Sequence, residues 1–166
     1  GKTGYQPGGA QKHLEHLAEL RQARAKRDDA LAKAKAAQGA DKAKLLDTAL
    51  ASMEPELVMG SYGDVVDEIV KLDPDNKAGL RNKYGAMAAL AKIEAAARKS
   101  PDEAVKLADE ALKTYGDTGE AAQDILFVKS LIVYRKGDKA QAKGLLEAAQ
   151  KAAPDTPKAE QIKNIL

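Results

Sequence analysis

Apolar residues recur along most of this chain at the three- and four-residue spacing of a helix face, and nowhere with the two-residue alternation of a strand. A first stripe starts near Ala10 and runs through Leu14, Leu17, Ala18, Leu31 and Ala34, which predicts one long helix, charged and alanine-rich from Arg21 to Lys35. Gly39 reads as its stop and Asp41 as the next N-cap. A second helix is expected over about 42–53 with Leu45, Leu46 and Leu50 inward. A third is expected over 56–72, with Gly60 and Gly63 as a place to kink or break. The run Leu72-Asp73-Pro74-Asp75-Asn76 ends it, because proline cannot continue a helix without losing a hydrogen bond. Asp75 or Asn76 is then placed to cap a fourth helix running to about Lys99.

Ser100-Pro101-Asp102-Glu103 has the form of a capping box with proline at the first helical position. The helix it opens should close at Tyr115-Gly116. The next begins after Asp117 or Thr118 and closes at Lys136-Gly137. Its centre, Ile125 to Tyr134, is the most apolar stretch of the chain and is expected to be the most buried. Helices over 138–153, stopped by Pro154, and from Thr156-Pro157 to Leu166 complete about eight. Turns of two to five residues make neighbours antiparallel hairpins. The expected fold class is therefore all-α.

Composition sharpens this. Alanine dominates the apolar residues, with one Phe, five Tyr and no Trp, so the core must come from closely approaching helices. The net charge is +2, but residues 1–40 carry eight Lys/Arg against four Asp/Glu. A dedicated nucleic-acid surface is usually more basic and more concentrated. No cysteine is present, which removes disulfide and thiolate chemistry from this segment. No apolar run reaches the length of a membrane span. The chain opens on Gly rather than Met, as expected of a processed or excised piece.

Tyr134, Gly137-Asp138, Ala142, Leu146, Ala149 and Pro154 stand at the spacing of the second half of a tetratricopeptide repeat, which this segment resembles. Fragments recur at Ala104, Ala108 and Ala111 and at Val66, Ile69 and the Leu72–Asn76 ending. The step from Ala104 to Ala142 is 38 residues, against about 34 in that family, and Leu126 and Phe127 stand near where a large aromatic is usual. The resemblance implies antiparallel hairpins stacked as a right-handed superhelix over residues 41–166, holding a protein or peptide partner. A second resemblance lies in Gly1-Lys2-Thr3-Gly4-Tyr5-Gln6-Pro7-Gly8-Gly9 followed by Leu14, Leu17 and Leu20. This is similar to the last strand and closing helix of a thioredoxin-like domain. It implies that residues 1–40 are the tail of such a domain, with the redox cysteine pair upstream. Residues 41–166 would then be the C-terminal accessory domain of a bacterial redox protein, exported or periplasmic, supporting client binding or dimerisation.

The candidate chemistry is sparse. His13 and His16 offer two metal ligands on one helix face, but no fixed third; two surface histidines is the better reading. Arg21, Arg24, Lys26 and Arg27 are followed by Asp28 and Asp29 without interleaved aromatics, which favours a solvated face over a phosphate site. Asp64, Asp67 and Glu68 lack a nucleophile or oxyanion motif. Asp73-x-Asp75-Asn76 lacks the glycine and closing glutamate of a calcium loop. The three methionines read as core filling. No catalytic, cofactor or metal site is expected. Lys83, Tyr84, Lys129 and Tyr134 are the candidate partner-binding residues, as polar or aromatic positions on central helices. The expected function is a non-enzymatic interaction or scaffold module. The alternatives are a small-ligand pocket between helices and weak nucleic-acid binding through the first helix.

Overall fold

The computed structural model describes residues 9–166. The glycine-rich opening, and the strand end expected in it, lie outside the described residues. Among the described residues there are nine helices and no strand: α1 Gly9–Ala34, α2 Gly39–Leu50, α3 Pro55–Ser61, α4 Gly63–Leu72, α5 Leu80–Ala97, α6 Pro101–Tyr115, α7 Glu120–Arg135, α8 Lys139–Ala152 and α9 Pro157–Ile165. The ninth arises because the expected third helix breaks at Tyr62. There the Tyr62 amide closes α3 on Val58 and the Tyr62 carbonyl opens α4 by accepting from Val66. Gly60 and Gly63 flank this break. Two compact units result, one ending at Met53 and the other beginning at Glu54.

In the N-terminal unit α2 packs on the second half of α1 through Ala30, Ala34, Ala43 and Leu46, all buried. The division between the compact units therefore falls after α2. Gly39 does not stop α1, which ends at Ala34; it is the first residue of α2, with φ +54°. Asp41 lies in the first turn of α2, and the N-cap is Gln38. From Gln11 to Gln22 every residue of α1 is exposed.

In the C-terminal unit α5 pairs with α6 and α7 with α8, α5 also packs on α7, and α3 touches α4 and α5. Alanines make these approaches close. Ala104, Ala108 and Ala111 of α6 are buried against Ala86 and Ile93 of α5 and Ile125 and Ile132 of α7. A second cluster joins Leu126 of α7, Ala149 of α8 and Ile162 of α9. The expectation of a buried α7 holds on all but its outer edge: Ile125, Leu126, Ile132 and Val133 are buried, while Leu131 and Tyr134 face outward.

The α5/α6 and α7/α8 hairpins are each latched by a side-chain amide. Asn82, at the start of α5, donates from Nδ2 to the Tyr115 carbonyl at the end of α6 (3.1 Å). Gln123, at the start of α7, donates from Nε2 to the Ala149 and Ala153 carbonyls at the end of α8 (3.1 and 2.8 Å). All three bonds satisfy carbonyls that a helix end otherwise leaves without a partner, and both latches fix the paired helices as antiparallel. Ser100 caps α6 by accepting from the Glu103 amide. The reciprocal half of the expected box is replaced, since the Ser100 amide donates to Ala96. Asp138 and Thr156 cap α8 and α9 through their side chains.

Candidate functional site: a groove and an adjoining cleft

Alternate helices of the C-terminal unit put their side chains into one groove of about 560 Å³. α3 supplies Glu56 and Met59, α5 supplies Met87, Leu90 and Glu94 with Arg98 at its C-cap, α7 supplies Phe127, Val128 and Leu131, and α9 adds Lys158. The floor is apolar and the rim carries both signs of charge. Lys158 pairs with Asp124 at one edge, and its ammonium lies 5.8 Å from the Phe127 ring centre, so aromatic face and ion pair hold it together. Met59 and Met87 are half-buried in the groove wall and not core filling. Their flexible thioethers suit a surface that adapts to what it meets. The sequence hides this because helix spacing gives groove-facing and core-facing positions the same apolar signature.

The four positions singled out for partner binding are not brought together. Tyr84 is 1% exposed and belongs to the core, with the Lys83 ammonium 5.0 Å from its ring centre. Lys129 is buried and reaches across to Asp109 of α6, an ion pair that ties α7 to the preceding hairpin. None of these three lines the groove. Tyr134 is exposed and lines a second cleft, of about 370 Å³, with Leu131, Leu146, Ile165 and Leu166. Leu131 lines both cavities, so the cleft adjoins the groove at that side chain.

The remaining candidates resolve into surface and cap chemistry. His13 and His16 are exposed on α1, with His16 Nδ1 4.0 Å from Glu19, and no group of three or more potential metal ligands occurs among the described residues. Arg27 pairs with Asp28 at 2.6 Å, and Lys33 with Asp29 at 2.7 Å, so the basic cluster is partly neutralised along its own helix. Asp64 and Asp67 are exposed on α4. Asp73 is buried, and its carboxylate accepts from the amides of Ala78, Leu80 and Arg81. Burial opposes its ionisation, but the Ala78, Leu80, Arg81 and Lys77 amides outweigh burial and hold its pKa below the ordinary 3.8. Asn76, at φ +54°, accepts from the Asn82 amide. Of the two caps expected for α5, Asn76 is the one that accepts from its first turn, and Asp73 joins it from the far end of the loop. The residue at the N-cap itself is Gly79.

Comparison with known proteins finds no family model, curated protein or solved structure that matches this chain.

Proposed function

We propose that the C-terminal unit is a tetratricopeptide-like binding module, its hairpins stacked in a right-handed sense, that holds a segment of another protein in the groove. The observation that carries this reading is the convergence of α3, α5, α7 and α9 on one apolar floor built from Met59, Met87, Leu90, Phe127 and Leu131. A groove of about 560 Å³ takes several side chains of a peptide. Its mixed rim sets orientation, and its floor supplies the apolar area that drives binding. The equivalent placement of Asn82 and Gln123 at the starts of α5 and α7 supports a structural repeat with little sequence identity. The test is selection from a displayed random peptide library followed by NMR mapping of a selected peptide. Shifts concentrated at Met59, Met87, Leu90 and Phe127 are expected. Failure of native protein to enrich peptides beyond a heat-denatured control would sink the reading.

A second reading concerns the N-terminal unit. Leu14, Leu17 and Leu20 are 65%, 37% and 52% exposed on one side of α1. An apolar stripe of this kind on an otherwise solvated helix is expected to be covered. That favours α1 as the closing helix of a neighbouring thioredoxin-like domain, with the C-terminal unit as its accessory domain for client binding or dimerisation. The gene sequence upstream decides it: a Cys-x-x-Cys motif on a strand-to-helix turn supports the parent, and an upstream coding sequence without one removes it.

A further inference from the structure

The cleft beside the groove has a chemistry of its own. Leu131, Tyr134, Ile165 and Leu166 are four of the five large apolar side chains exposed in the C-terminal unit, and all four line it. Scattered exposed leucines carry no message, but convergence on one concavity does. Two lysines, Lys139 and Lys143, one turn apart on α8, stand at the same cleft, and no acidic side chain lines it. Neither lysine has an ion-pair partner among the described residues, whereas Lys129, Lys136 and Lys158 of the same unit each pair with an aspartate. Leu131 also lines the groove, so the cleft and the groove lie side by side.

We propose that the cleft selects the partner's charge: it takes an acidic segment of the peptide held in the groove, with an apolar side chain seated between Tyr134 and Leu146 and carboxylates on Lys139 and Lys143. This rests on the groove reading and adds the class of partner. Two ammonium groups beside an apolar wall, with no competing carboxylate side chain, attract an anionic amphiphilic segment and repel a cationic one. The lysines supply selectivity and salt dependence, and the apolar wall supplies most of the hold.

The test uses the full chain and fluorescence anisotropy. The probe is a fluorescein-labelled amphipathic peptide of leucines and glutamates, with its counterpart bearing lysine at each glutamate as the control. The acidic peptide should bind at least about tenfold tighter than the basic one, and its affinity should fall as salt is raised. Lys139→Glu combined with Lys143→Glu should weaken the acidic peptide by about tenfold or more and bring the basic peptide up. Both positions lie in the first half of α8 on its exposed side, where a carboxylate suits the helix dipole, so the variant should keep its fold by circular dichroism. Equal binding of the two peptides, or an unchanged acidic affinity in the reversed variant, overturns the proposal. So does a concentration-dependent dimer that Tyr134→Asp abolishes, because the cleft then belongs to a second copy. Met87→Glu, placed in the groove, separates the two readings. If it abolishes binding while charge reversal at the cleft does nothing, the groove stands and the acidic partner falls. If only the cleft variants matter, the groove reading falls instead.

Discussion

The two central hairpins solve the same problem with different residues. In α5/α6 the latch is Asn82, half-buried, making one side-chain bond to the end of α6. In α7/α8 it is Gln123, 1% exposed, bonded to two carbonyls of α8 and accepting at Oε1 from Thr156, whose hydroxyl also caps α9. One extra methylene lets the second latch join three helices. The first hairpin compensates at its core: Gly85 of α5 admits the Tyr115 ring so closely that a Cβ there would stand 2.5 Å from it. The comparison shows one hairpin fixed chiefly by a buried polar network and the other by close approach.

The network should be the more fragile. Gln123→Ala removes three hydrogen bonds and leaves a small void, an expected loss of about 3 kcal/mol. Asn82→Ala, at a half-exposed site that water can reach, should cost about 1 kcal/mol. Urea unfolding followed by circular dichroism measures both. Equal losses would mean that burial does not distinguish the latches.

A smaller effect tests the close approach, and its sign is the informative part. Alanine in mid-helix is favoured over glycine by about 1 kcal/mol, while crowding a packed contact costs about 1–3 kcal/mol. Gly85→Ala should therefore destabilise by about 1 kcal/mol in the native background, and stabilise by a similar amount once Tyr115→Ala has removed the ring. If the sign is the same in both backgrounds, Tyr115 does not set the need for glycine.

These particulars explain what could be read beforehand. Helix existence was legible because apolar spacing, proline and glycine act locally. Pro101, Pro157 and Gly116 fall where such residues start or stop a helix. What failed is what depends on partners distant in sequence. Asn76, one of the two caps expected for α5, does accept from its first turn, but Asp73, which shares that role from the far end of the loop, carries no local sign of it. Tyr84 and Lys129 sit on central helices as expected, yet face the core and a neighbouring hairpin. Met59 and Met87 face a groove with the same periodicity that a core residue shows. Asn82 and Gln123 share a role without sharing a residue type, so a comparison of letters does not pair them.

Acid offers the mildest way to separate the hairpins. The carboxyl of Asp73, which ends α4 and accepts from the first amides of α5, titrates below its ordinary 3.8. So does that of Asp102 in the first turn of α6, through its hydrogen bond to Lys136 and the attraction of that ammonium and of Lys106. Because both folded-state values are depressed, the stability these groups contribute is fully present above the unfolded value. It is lost as pH falls through the folded ones. The loss should therefore begin near pH 4 and deepen below it, with neutral pH flat. Both carboxylates act on the α5/α6 hairpin, whereas α7 has Gly119 at its N-cap without a side-chain bond and its latch is an uncharged amide. Amide protection in the first turns of α5 and α6 should accordingly fall before that of α7 as pH drops from 6 to 3, after correction for intrinsic exchange. Asp73→Asn with Asp102→Asn should lower stability at neutral pH and flatten its acid dependence. An acid slope unchanged in the double variant would place the sensitivity elsewhere and leave the two hairpins alike in their response to protons.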